Sequence, residues 1–205
     1  MLNRRTFTSS LVLPVLAVGM NLAHAATVGQ AAPDFSALDA LGKSYKLGDL
    51  KGKHVVLEWT NPGCPFVVKH YGGNMQALQK EFTARGIVWL SVNSTSKEAY
   101  DYLLPVKLVA WKAEHKASAS AILMDESGKI GQLYSAKTTP HMYIINPQGV
   151  LVYAGAIDSV PSARVDDIKT ATNYVRQGLN ETLAGKPISV ASTRAYGCSV
   201  KYKDA

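Results

Sequence analysis

Apolar positions along this chain come in two rhythms. Short continuous runs, Val55-Val56-Leu57, Ile87-Val88-Trp89-Leu90-Ser91-Val92 and Ser120-Ala121-Ile122-Leu123-Met124, predict strands apolar enough for the middle of a sheet. Two further pairs predict hairpins. Phe35 to Asp39 and Ser44 to Leu47 flank Leu41-Gly42-Lys43, and Met142 to Ile145 and Leu151 to Ala154 flank Asn146-Pro147-Gln148-Gly149. Helical spacing fills the gaps. A short helix runs from Cys64 to about Tyr71, where Gly72-Gly73 breaks it, and a second follows with Met75, Leu78 and Phe82 on one face. Thr95-Ser96-Lys97-Glu98 reads as a capping box opening a helix, and Pro105 separates that helix from another through Trp111 to His115. A short helix covers Lys129 to Tyr134. A long one, introduced by Pro161 and Ser162, carries Val165, Ile168, Val175, Leu179 and Leu183. Strands alternating with helices predict an α/β domain with a mixed, mostly parallel central sheet flanked by helices.

The chemistry concentrates where the first apolar run ends, in Glu58-Trp59-Thr60-Asn61-Pro62-Gly63-Cys64-Pro65-Phe66. Asn-Pro-Gly forces a turn, and Pro65 suits the first position of a helix. A cysteine between a strand end and a helix start meets unpartnered backbone N–H groups and the positive end of the helix dipole. Both favour thiolate, the nucleophilic form. The competing reading of Cys64 is a small buried hydrophobe.

The extreme N-terminal pattern differs from the rest. Asn3-Arg4-Arg5-Thr6-Phe7 is a basic segment, Leu11 to Leu22 is apolar, and Ala23-His24-Ala25 offers a small–x–small cleavage site. Residues 1–25 are therefore expected to be a signal peptide, too short to span a membrane. The paired arginines suggest a twin-arginine route, with a general secretory signal as the alternative. Residues 26–185 then form one domain and 186–205 a tail. Without Arg4 and Arg5 the formal charge falls from +7 to +5. Its Lys and Arg residues are scattered, which argues against nucleic-acid binding and leaves peripheral membrane contact open. The five histidines lack metal-ligand spacing, so no metal or cofactor is expected. The two cysteines, Cys64 and Cys198, are in an exported protein by default a structural disulfide; a redox pair is the competing reading.

Ala32-Pro33-Asp34-Phe35, Lys51-Gly52-Lys53 before an apolar strand, Cys64-Pro65 at a helix start and Thr139-Pro140 before a strand together resemble a thioredoxin-fold protein of the redoxin, or alkyl hydroperoxide reductase/thiol-specific antioxidant, group. The likeness runs from about Thr27 to Leu183. It implies that Pro140, after Thr139, is a cis-proline facing the cysteine and offering backbone groups to an extended substrate. Glu58 resembles the buried acid that exchanges a proton with the sulfur, its pKa raised by desolvation; a solvent-facing strand residue is the alternative. Trp59 is either core or a shield over the thiol. Thr139, Pro140, Pro65, Trp59 and Asn61 are the candidate substrate-binding residues, beside Cys64, Cys198 and Glu58 as catalytic ones.

Two departures from the family pattern bear on function. Val67 stands where a thioredoxin has its second cysteine, so the resolving thiol is Cys198, another protein or a small thiol. Peroxidases of the family carry Thr or Ser three residues before the cysteine and an Arg near the late strand. Here Asn61 and Thr139-Pro140-His141 take those places, which argues against efficient peroxide reduction. Lys69 and His70, five and six residues after Cys64, read as surface residues. The leading expectation is an exported thiol–disulfide oxidoreductase acting on protein or small-molecule thiols and disulfides. The alternatives are an atypical peroxidase and a non-catalytic envelope protein with a structural Cys64–Cys198 bridge.

Overall fold

The structure, a computed structural model, describes residues 25–203. The expected signal peptide lies outside the described residues, apart from Ala25. After a small hairpin, β1 (Ser36–Leu38) and β2 (Ser44–Lys46), come β3 (Val55–Trp59), α1 (Pro65–His70), α2 (Asn74–Thr83), β4 (Val88–Asn93), α3 (Pro105–Glu114), β5 (Ala121–Met124) and α4 (Lys129–Leu133). Then follow β6 (Thr138–Thr139), β7 (His141–Ile145), β8 (Leu151–Gly155), α5 (Tyr174–Leu183) and β9 (Cys198–Ser199). The main sheet has the order β5-β4-β3-β7-β8. Strands β3, β4 and β5 run parallel, and β7 and β8 are antiparallel to their neighbours. The expected mixed sheet flanked by helices is present.

Alternation along β3 divides the core. Val55, Leu57 and Trp59 face one side with Phe35, Leu47, Tyr134, Tyr143 and Val200. Val56 faces the other with Met75, Leu78 and Phe82 of α2, Val175 and Leu179 of α5, and Cys64 and Val67. Every residue of β3 is buried, as expected of a central strand covered on both faces.

One expected helix is absent and another is shorter than expected. Thr95 to Glu98 opens no helix: the Thr95 N–H donates to Asn93 Oδ1 at 3.3 Å, and Glu98 pairs with Lys203 at 3.1 Å instead of turning back to cap. The helix starts at Pro105, whose missing N–H costs nothing at that position. The long C-terminal helix is split. A short 3-10 turn covers Val165–Lys169, and α5 begins only at Tyr174, where Asn173 accepts the Arg176 N–H at 2.8 Å. Between Asp158 and Asn173 the chain doubles back on itself, with a bridge between those two residues and a Ser159 N–H to Thr172 O bond of 3.0 Å. Val165 therefore stays exposed instead of packing with Val175 and Leu179.

Candidate active site

The turn after β3 is built by Asn61. Its carbonyl accepts the Cys64 N–H at 3.0 Å and its Oδ1 accepts the Gly63 N–H at 2.9 Å. Its Nδ2 donates to Asp101 Oδ2 at 2.9 Å and lies 3.4 Å from Thr95 Oγ1. Asn61 is buried and its amide protons are committed, so it shapes the loop and has no donor left for a substrate. Cys64 then sits in extended conformation at the N-cap of α1, with Pro65 fixing the first turn.

Cys64 is 2 % exposed. Its thiol donates to Thr139 O at 3.0 Å, and the Thr139–Pro140 bond is cis. Thr139 Oγ1 is buried without a hydrogen-bond partner. The tail returns here as β9, antiparallel to β6, with Cys198 opposite Thr139 and Ser199 opposite Thr138. Both cysteines are free thiols; Cys198, paired with Thr139, packs against the same core cluster as Cys64, which brings the two side chains close enough to act on each other's titration. Burial alone raises the Cys64 pKa, but the neighbouring Cys198 and Thr139 side chains, with the backbone at Val67 and Cys198, favour the thiolate enough to leave the thiol below its ordinary value. Cys198 goes the other way. Desolvation, then the neighbouring Cys64 and its charge, push it up to about 12. The pair is therefore one acidic thiol beside one that holds its proton.

The remaining expected residues are placed differently. Glu58 is fully buried, on the sheet face that packs against α2, which rules out a solvent-facing side chain. Its carboxyl accepts from Tyr71 Oη at 2.7 Å, Trp89 Nε1 at 2.7 Å, Gln79 Nε2 at 3.0 Å and Ser91 Oγ at 3.2 Å. Burial raises its pKa against these four bonds. Its helical partner Tyr71 caps the end of α1 away from Cys64, and none of the hydrogen bonds at Cys64 involves Glu58. Trp59 faces the opposite side of the sheet. It donates to Ser94 Oγ at 3.0 Å and packs on Tyr134 and Tyr143, so it is core and shields no thiol.

Lys69 and His70 are not surface residues; both are buried. A straight helix turns them away from Cys64, but the loop after β8 and the tail cover that side as well. Lys69 Nζ lies 3.4 Å from Asp158 Oδ2, donates to Val160 O at 3.2 Å and reaches Tyr196 Oη at 3.4 Å. The Tyr196 hydroxyl donates to Asp158 Oδ1, and His70 Nε2 lies 3.3 Å from it. Asn74 Nδ2 donates to His70 Nδ1 at 2.8 Å, which places the ring proton of a neutral His70 on Nε2. The Phe66 ring meets Tyr196 edge-on at 5.8 Å. This cluster joins α1 to the tail two residues before Cys198. The one sequence signal for it is a lysine following Phe66-Val67-Val68, because Asp158 and Tyr196 are remote in the chain. Among the described residues no group of three His, Cys, Asp or Glu side chains is placed to hold a metal.

The profile of the AhpC/TSA family matches residues 28–154, more than half of the chain. The chain belongs to the AhpC/TSA family. It is 33 % identical over 123 residues to the thioredoxin-like protein YneN of Bacillus subtilis, covering 60 % of this chain and 68 % of that one. It is 27 % identical over 159 residues to the thiol-disulfide oxidoreductase ResA of the same organism, covering 73 % and 83 %. Among solved structures, protein SMc02350 of Sinorhizobium meliloti superposes with a TM-score of 0.77 at 22 % identity, over 89 % of this chain and 98 % of that one. The fold is thioredoxin-like, and the family is that of thioredoxin-fold proteins akin to thiol–disulfide oxidoreductases.

Proposed function

We propose that this AhpC/TSA member is an exported thiol–disulfide oxidoreductase with Cys64 as nucleophile and Cys198 as resolving thiol. The observation that carries the reading is the placement of both cysteines at Thr139, Cys64 through its 3.0 Å bond to the carbonyl and Cys198 through the β6–β9 pairing, with their pKa values driven apart. In the first step the Cys64 thiolate attacks one sulfur of a substrate disulfide, forming a mixed disulfide and expelling one substrate thiolate. That step removes the negative charge on Cys64, which helped hold the proton on Cys198. Cys198 then attacks Cys64 Sγ, its proton passing to a released substrate thiolate, and expels the second substrate thiolate. Two electrons pass to the substrate, and the Cys64–Cys198 disulfide awaits reduction by a thiol donor. Run in reverse, the same steps oxidise a dithiol.

Thr139 supports the first step. Its buried, unpartnered hydroxyl favours the sulfur as thiolate, while its carbonyl holds the proton of the thiol form. Pro140 and Pro65 fix the backbone on either side of that sulfur. Glu58 enters this reading as a brace for α2, α1 and β4 through Gln79, Tyr71 and Trp89, and not as the proton acceptor. The amide protons of Asn61 are committed to Asp101 and Thr95, which disfavours the peroxidase alternative. Export is inferred from Arg4-Arg5 and the apolar run Leu11 to Leu22. N-terminal mass analysis of the protein recovered from the cell envelope tests it, with a start near Ala26 as the expected result.

Turnover of a small reporter disulfide with excess thiol donor tests the chemistry. Cys64→Ser is expected to abolish it, and Cys198→Ser, mixed with the disulfide without donor, to accumulate a mixed disulfide at Cys64. Full turnover by Cys64→Ser contradicts the reading.

A further inference from the structure

The edge strand beside the nucleophile is already occupied. Thr139, whose carbonyl meets Cys64, belongs to β6, and β6 is paired by β9 of the same chain. An open strand edge is where an extended peptide adds to a fold through backbone hydrogen bonds. Cys198 marks the register such a peptide needs. A sulfur borne on an extended strand meets Cys64 when its residue lies opposite Thr139.

The resident strand is fastened on both sides of Cys198. Before it, Tyr196 is locked into the buried Lys69–Asp158 pair. Gly197 comes next with φ at 141°, and a Cβ there would lie 2.0 Å from Thr139 O, so only glycine permits this approach. After it, the Val200 N–H donates to Lys137 O at 3.1 Å, the Ser96 N–H to Lys201 O at 2.8 Å, and Tyr202 Oη to Ala136 O at 2.7 Å. A depression of about 520 Å³ adjoins the docked strand, lined by Thr138, Asp158, Arg194, Tyr196 and Gly197 and by neither cysteine.

We propose that β9 is a resident strand occupying the edge where a protein disulfide would have to bind, so that Cys64 exchanges with low-molecular-weight disulfides while β9 is docked. Protein disulfides reach Cys64 only after β9 is displaced. The substrate class rests on Cys64 being the exchanging nucleophile; the occupancy of the edge does not. The exchange step itself is unchanged: the Cys64 thiolate takes one sulfur of the small disulfide and releases one small thiolate, and Cys198 releases the second.

The test compares reagents by size. The reduced full chain is alkylated with N-ethylmaleimide or with maleimide-polyethylene glycol, and the rate at Cys64 is read by peptide mass spectrometry relative to the same chain unfolded in urea. The native protein is expected to protect Cys64 from the bulky maleimide by at least about ten-fold more than from the small one. Gly197→Ala, which pushes β9 off Thr139, is expected to abolish that difference. Tyr196→Phe, which keeps the ring on Phe66 but removes the hydroxyl at Asp158, is expected to narrow it, and serves if Gly197→Ala fails to fold. Equal protection from both reagents in the native protein overturns the proposal, as does a difference unmoved in a folded variant. In parallel, hydroxyethyl disulfide and a disulfide-linked peptide are compared as oxidants. The small disulfide is expected to oxidise the native protein at least about ten-fold faster, and equal rates overturn the assigned substrate class. If neither oxidises it while the alkylation difference holds, the oxidoreductase reading fails and the occupied edge stands.

Discussion

Cys198 lies opposite Thr139, whose carbonyl holds the Cys64 thiol, and the two cysteines are driven in opposite directions, Cys64 down and Cys198 up to about 12. Burial raises both. What separates them is the donors. Cys64 has Cys198, Thr139 and nearby backbone to stabilise its thiolate, whereas a Cys198 thiolate would face one.

Removing the Cys198 thiol takes away the largest favourable interaction of the Cys64 thiolate. A hydrogen bond to a charged group contributes about 1.5–3 kcal/mol, so Cys198→Ala is expected to raise the Cys64 pKa by about one unit or more. The pH dependence of iodoacetamide alkylation measures it.

Lys69 and Asp158 form a buried ion pair whose side chains are 0 % and 2 % exposed. Lys69→Met leaves the Asp158 carboxylate without its cation and is expected to cost about 3–5 kcal/mol of unfolding free energy. Adding Asp158→Asn removes the uncompensated charge, so the double variant is expected to lose less than the two single losses combined. Urea unfolding of the four proteins gives the coupling.

Burial lowers the His70 pKa to about 4, against the opposing pull of Asp158, from an ordinary 6.5. The unfolded chain therefore binds a proton in that window and the folded chain does not. Stability from this group is complete above pH 6.5 and drains as pH falls toward 4, by about 3 kcal/mol. His141, lowered to about 4 by burial and Lys137, acts in the same direction, while Glu58 and Asp125, both raised by burial, oppose it. The urea midpoint is expected to fall less steeply between pH 6.5 and 4 in His70→Gln than in the native chain.

Four donors converge on the Glu58 carboxyl. Glu58→Ala strands them around a cavity and is expected to cost about 3–5 kcal/mol. Glu58→Gln keeps the shape and one acceptor oxygen, so it is expected to cost less and to leave the alkylation profile of Cys64 in place. A shifted profile in Glu58→Gln would restore the acid as a proton partner of the sulfur.

What could be read from the sequence was what local pattern determines. The runs at Val55, Val88 and Ala121 are two-sided strands, Met75, Leu78 and Phe82 share a helix face, and Cys64-Pro65 opens a helix, because burial period and capping chemistry act within a few residues. Long-range contacts defeated the same logic. Thr95 and Glu98 have the residues of a capping box, but Asn93 and Lys203 take their partners. Lys69 and His70 look solvated on an isolated helix, and only Asp158 and Tyr196, about ninety residues and more further on, make their burial tolerable. Cys198 lies on two residues of strand whose pairing with Thr138–Thr139 no periodicity encodes.

The most direct measurement is the pH dependence of Cys64 alkylation in the reduced protein, together with disulfide mapping after mild oxidation. A Cys64 thiolate pKa below the ordinary cysteine value of about 8.5 is expected, with a Cys64–Cys198 bond that forms and is reduced again readily. A Cys64 that alkylates with an unshifted or raised pKa, or a pair that forms no intramolecular bond, would contradict a Cys64–Cys198 redox pair.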